Sequence, residues 1–205
     1  MSRTGAVVLA MMLAAVLVRP AAAQVEWDGT MLLSPGTPGG IGLFLVDPDA
    51  GGLGAMGTWR RSAAPIGFGL RAGLANDAAD DLAVFGGLDL SGTLLSPTSD
   101  TPIGAIWLLG AGIGIGHDLL ASFPAGISLS SEHRSEGVLF RPYVTPRVDL
   151  DLASGPGDNA DLSFSADLGL DLSFAPNWMI RFGASVGRRD ALAIGLAFPG
   201  RQIGR

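Results

Sequence analysis

Residues Asp161–Phe174 read DLSFSADLGLDLSF. Leu162, Phe164, Ala166, Leu168, Leu170, Leu172 and Phe174 hold every even position, and Ser163, Ser165, Asp167, Gly169, Asp171 and Ser173 alternate with them. An unbroken period of two marks a β-strand with one apolar and one polar face. A helix would scatter these leucines around its circumference. The preceding stretch, Val138 to Leu152, obeys the same rule: Phe140, Pro142, Val144, Pro146, Val148 and Leu150 share one side, and Arg141, Tyr143, Thr145, Arg147, Asp149 and Asp151 share the other.

Working outward, weaker copies of the alternation run from Ile66 to Leu74, Leu82 to Leu95, Ile103 to Gly116, Leu119 to Ser130, Trp178 to Gly187 and Ala191 to Phe198. Two shorter segments precede them, Ile41 to Val46 and Leu53 to Trp59. Between segments stand Asn76-Asp77, Ser96-Pro97-Thr98-Ser99-Asp100, Ser154-Gly155-Pro156-Gly157, Pro176-Asn177 and Arg189-Asp190, which is the chemistry of hairpin turns. Consecutive strands on short connections make an antiparallel meander, and closing it into a barrel removes its two unpaired edges. The expected fold is all-β: an antiparallel, up-and-down transmembrane β-barrel of 8 to 10 strands, the count turning on the two short segments.

The start of the chain differs. Residues 1–23 carry Arg3, an apolar run from Ala6 to Val18, and the small residues Ala21, Ala22 and Ala23. This is the layout of a secretory signal peptide, and the apolar run is shorter than the ~18–20 residues of a spanning helix. The expected organisation is a signal peptide over 1–23 and a barrel domain over 24–205. Loss of Arg3 and Arg19 would leave 11 of the 13 arginines against 19 acids. The chain has no cysteine, so no disulfide would brace the exported protein.

Alternation alone does not say which face meets solvent. Composition does: only 16% of residues are charged, against roughly 25% in soluble domains, while 48% are hydrophobic. The polar faces are mostly glycine, serine and alanine, as a narrow lumen requires, where a soluble surface would carry many charges. The charges that do occur there have both signs, Arg71, Arg141, Arg147 and Arg181 against Asp89, Asp149, Asp151, Asp167 and Asp171. They are expected to pair as a polar network in the lumen. Trp107, Phe123, Phe140, Phe164, Phe174 and Trp178 stand on the apolar face, several near strand ends, where interfacial aromatics of membrane barrels sit. A secreted, lipocalin-like ligand-binding barrel, with the faces inverted, is the alternative. The net charge of −6 argues against a nucleic-acid partner.

Together the leader, the cysteine-free remainder, the alternating strands and the terminal strand resemble the small outer-membrane β-barrel proteins of Gram-negative bacteria. The resemblance implies residence in that membrane's lipid, contact with the barrel assembly machinery and a monomer. In such proteins the last strand carries a glycine and an aromatic at set spacing; here Gly195 and Phe198 of ALAIGLAF match, Ala193 stands where a polar residue is usual, and the chain runs on through Pro199 to Arg205.

Some barrels of this kind are lipid-modifying enzymes, and Ser131-Glu132-His133 places a serine and a histidine two apart, on one face of a strand. The deacylase order is histidine first, and SSEHRSEG reads as the polar end of a hairpin. Asp149 and Asp151 resemble the aspartate pair of barrel proteases, but no histidine is spaced to join them. Asp47-Pro48-Asp49-Ala50-Gly51-Gly52 echoes the opening of a calcium loop without its later ligands and reads as a turn. No cofactor or metal motif stands out. The expected function is non-enzymatic: an envelope structural or small-solute passage protein.

Overall fold

The computed structural model describes residues 32–48, 52–61, 66–76, 82–98, 101–116, 119–154, 159–187 and 190–200. The expected signal peptide and residues 49–51 of the calcium-like turn lie outside them. The described residues form strands and no helix: β1 (Gly40–Pro48), β2 (Gly54–Arg61), β3 (Ile66–Asn76), β4 (Leu82–Leu95), β5 (Ile103–Ile115), β6 (Leu119–Ser131), β7 (His133–Ser135), β8 (Val138–Ser154), β9 (Asn159–Ala175), β10 (Trp178–Gly187) and β11 (Ala191–Pro199). Each wall strand pairs antiparallel with the next, β6 pairing with β8 past the short β7. The sheet closes where β1 meets β11, in register from Gly40↔Pro199 to Pro48↔Ala191. β7 continues β6 as a three-residue flap on β8, so the wall is a closed meander of ten strands with one short extra strand. Both short early segments are therefore wall strands. β1 is indispensable, because it supplies the closing partner of β11.

The apolar side chains point outward and the polar ones inward, the reverse of a soluble barrel. Leu43 (61% exposed), Leu162 (63%) and Phe164 (74%) stand on the outside, while Thr145, Asp149 and Asp167 are fully enclosed. A continuous apolar exterior round a closed wall matches hydrocarbon and leaves no backbone edge in lipid. Trp59 and Phe68 meet edge-on at 6.3 Å, and Phe174 stacks on Trp178 at 5.5 Å across the tight β9–β10 turn. Both pairs lie toward the end of the barrel where Gly40 and Pro199 meet, as an interfacial aromatic belt would.

Prolines lack a backbone donor and break ladders. Pairing of β5 with β6 accordingly skips Phe123 and Pro124, and pairing of β6 with β8 skips Thr145 and Pro146. Glycines in the wall make room for large inward side chains. A Cβ on Gly169 would overlap the Tyr143 ring, and one on Gly69 would overlap the Asp89 carboxylate.

The lumen departs from the expectation of a purely ionic filling. It also holds two apolar clusters: Phe44, Val46, Met56, Ala75, Ala83, Phe85 and Ala193 with Leu32, and Ile106 and Leu108 with Leu33. Leu82 to Leu95 alternates poorly in sequence because β4 carries apolar residues, Ala83 and Phe85, on its inner face as well.

Candidate functional site

β8 and β9 build the polar side of the lumen. Their period-two alternation turns Arg141, Tyr143, Thr145, Arg147, Asp149 and Asp151 inward from β8, and Ser163, Ser165, Asp167 and Asp171 inward from β9. All nine charged residues singled out in the sequence are buried in the lumen: Arg71, Asp89, Arg141, Arg147, Asp149, Asp151, Asp167, Asp171 and Arg181. Their contacts are taken in turn from one end of the barrel.

Toward the end where Gly40 and Pro199 meet, Asp171 is the hub. It takes Arg181 side-on, Nε to Oδ1 at 2.7 Å and Nη2 to Oδ2 at 2.9 Å, and accepts a weaker contact from Arg141 at 3.5 Å. Two parallel N–H donors on one carboxylate are the strong form of this pair. Arg141 turns its Nε to Glu132 at 2.8 Å.

Deeper in the barrel, Arg147 lies between two enclosed carboxylates, with Nη1 at 2.7 Å from Asp149 and Nε at 3.3 Å from Asp167. Its Nη2 donates to Ser185 Oγ at 3.1 Å, and Ser165 donates to Asp149. Asp151 accepts from Ser122 at 2.6 Å.

Across the lumen, Asp89 and Ser91 of β4 take Arg60 of β2, which reaches over the intervening β3 at Gly69. Arg71 lines the same side.

Arg60 and Glu132 were not among the residues expected in the network. Arg60 shares parity with Met56 and Thr58, so extending the alternation one residue past Trp59 would have found it. Glu132 sits where β6 gives way to β7 and follows no period. Four buried hydroxyls, those of Ser128, Tyr143, Thr145 and Ser163, make no hydrogen bond to any described residue. Each retains hydrogen-bonding capacity toward the lumen.

The structure also brings Ser131 Oγ within 3.0 Å of His133 Nε2, on the exposed hairpin beyond β6. Glu132, between them in sequence, faces the other way and is held by Arg141 at 2.6 Å. Among the described residues no carboxylate orients the imidazole, so the pair lacks the third group of a hydrolytic triad. Asp149 and Asp151 are committed to Arg147, Ser165 and Ser122 in the same way.

A second element not read from sequence enters the lumen. The stretch before β1 folds back inside, burying Leu32, Leu33 and Ser34. Beside it lies a small recess bordered by Thr37, Met56, Arg60, Arg71 and Met179.

No family model and no curated protein matches the chain. In fold it is similar to a bacterial polysaccharide outer membrane secretin, with 12% identity over 76% of this chain and a TM-score of 0.45. It spans 58% of that secretin chain. It is also similar to a chain from a de novo design of transmembrane β-barrels, at 16% identity, 80% and 98% coverage and a TM-score of 0.38. The KdgM porin is similar at 11% identity, 78% and 99% coverage and a TM-score of 0.40.

Proposed function

We propose that the protein is exported by cleavage of residues 1–23, assembles as a monomer in the outer membrane of a Gram-negative bacterium, and serves there as a narrow, non-enzymatic passage for ions and small solutes. The polar wall of β8 and β9 carries this reading. Fixed charges of both signs and free hydroxyls run along the inside of the barrel from Asp151 to Arg141, while the outside is apolar. A protein needing only to anchor itself could fill so small a lumen with aliphatic side chains, as the two apolar clusters partly do. Desolvated charges are costly unless paired, so their retention along a whole wall favours a role for which polarity matters.

A barrel of ten strands filled to this degree is too narrow for a large open pore. Purified protein in planar bilayers is therefore expected to give small, salt-dependent conductance steps well below those of a large open porin. Substituting Asp149 and Asp167 by asparagine together should shift the preference of the passage toward anions. Silent bilayers under every condition would remove the passage role and leave the envelope structural one.

A further inference from the structure

Ser34-Pro35-Gly36-Thr37 forms a tight turn inside the barrel mouth. Proline stands second, Gly36 stands third with φ +77°, and Thr37 N–H donates to the Ser34 carbonyl at 3.0 Å. This is the residue pattern of a type II turn. The turn is braced a second time by its own side chains, the Ser34 and Thr37 hydroxyls lying 2.8 Å apart and the Ser34 N–H donating to Thr37 Oγ1 at 3.1 Å. The turn is thus held by hydrogen bonds of its own as well as by the wall.

The wall grips this unit at three points. Arg181 Nη1 donates to the Leu32 carbonyl at 2.9 Å, and its Nη2 donates to Thr37 Oγ1 at 3.2 Å. Ser34 Oγ donates to Asp171 Oδ2 at 2.8 Å. Gly36 lies against the Arg141–Glu132 pair, so closely that a Cβ there would come 3.0 Å from Glu132 Oε1. Leu32 and Leu33 meanwhile insert into the two apolar clusters. The segment spans the lumen, its polar turn against Arg181 and Asp171 and its two leucines in the apolar clusters.

We infer that Leu32–Pro38 is a built-in plug of the lumen, latched by Arg181 and Asp171, which swings out from its junction with the wall at Gly39 to open the passage. The latch joins two charged side chains to a neutral turn through charge-assisted hydrogen bonds. The wall holds the segment's far end: the Gly39 carbonyl accepts from Gly200 N–H at 2.7 Å, and Gly40, at φ +153°, pairs with both Arg60 and Pro199 where a Cβ would overlap the Phe198 carbonyl. The opening step rests on the passage reading; the seating and latching of the plug do not.

The chain has no cysteine, so one introduced thiol reports alone. Leu33→Cys places it on the plug, where Leu33 is 6% exposed, and Thr98→Cys gives an exposed reference. In the folded full-length protein, maleimide should label the plug thiol far more slowly than the reference. Adding Ser34→Ala and Thr37→Val, which remove two of the three latch bonds from the plug side, leaving only that of Arg181 to the Leu32 carbonyl, and keep the wall intact, should raise the labelling rate about tenfold or more. Arg181→Ala, from the wall side, should do the same, and both latch variants should conduct more than the parent. A plug thiol that labels as fast as the reference in the parent, or at one rate in all variants, overturns the inference. Faster labelling in the latch variants with silent bilayers throughout upholds the plug and overturns the passage reading instead.

Discussion

Arg147→Ala is expected to destabilise the folded barrel by about 3–5 kcal/mol, the cost of removing one partner from a buried ion pair. The guanidinium lies between Asp149 and Asp167, both fully enclosed, at 2.7 and 3.3 Å. Its removal leaves two carboxylates in the lumen without the positive charge between them. Ser165 still donates to Asp149, but a hydroxyl does not neutralise it. Urea titration of the protein refolded in lipid vesicles measures the loss. The triple change Arg147→Met, Asp149→Leu and Asp167→Leu should cost much less than Arg147→Ala alone, because a buried ion cluster replaced as a unit by apolar groups of similar volume is often neutral. If Arg147→Ala leaves the midpoint unchanged, this cluster does not sit in a closed lumen.

Ile194→Arg is expected to cost about 2–4 kcal/mol, the penalty for a cation on the lipid face near the bilayer midplane. Ile194 is central in β11, pairs with Leu45 and Phe182, and is 47% exposed on the outer face. On a water-facing outer surface the same substitution would lie within about 0.5 kcal/mol of neutral. The same titration in vesicles therefore decides between the two settings by magnitude, with Ile194→Leu as the reference.

The architecture was largely legible in the sequence because a side-chain period of two ties each residue to a face, and a one-residue slip would invert the strand. Asp161–Phe174 fixes β9, and Val138 to Leu152 fixes β8 even through Pro142 and Pro146, whose side chains point outward. The short β1 and β2 left the strand number open; only their pairing with each other and with β11 decides it. Parity also told which charges turn inward. It did not tell which of them meet, because contacts across a lumen depend on strand stagger and on gaps such as Gly69, through which Arg60 reaches Asp89. The plug was invisible for a different reason. Ser34-Pro35-Gly36-Thr37 announces a turn, but a turn has no period, and nothing local says that it lies inside the barrel. Its fit to Arg181 and Asp171 joins residues 137 or more positions apart.

The account stands on one claim: the apolar face meets lipid and the polar face closes on itself. Gel mobility of the membrane fraction, unboiled against boiled in dodecyl sulfate, tests it most directly. The account predicts that the protein stays with the membrane after an alkaline wash and runs as a compact, faster band until boiling unfolds it. A protein recovered in the aqueous fraction without detergent, with one mobility whether boiled or not, would contradict the account and place the apolar face inside.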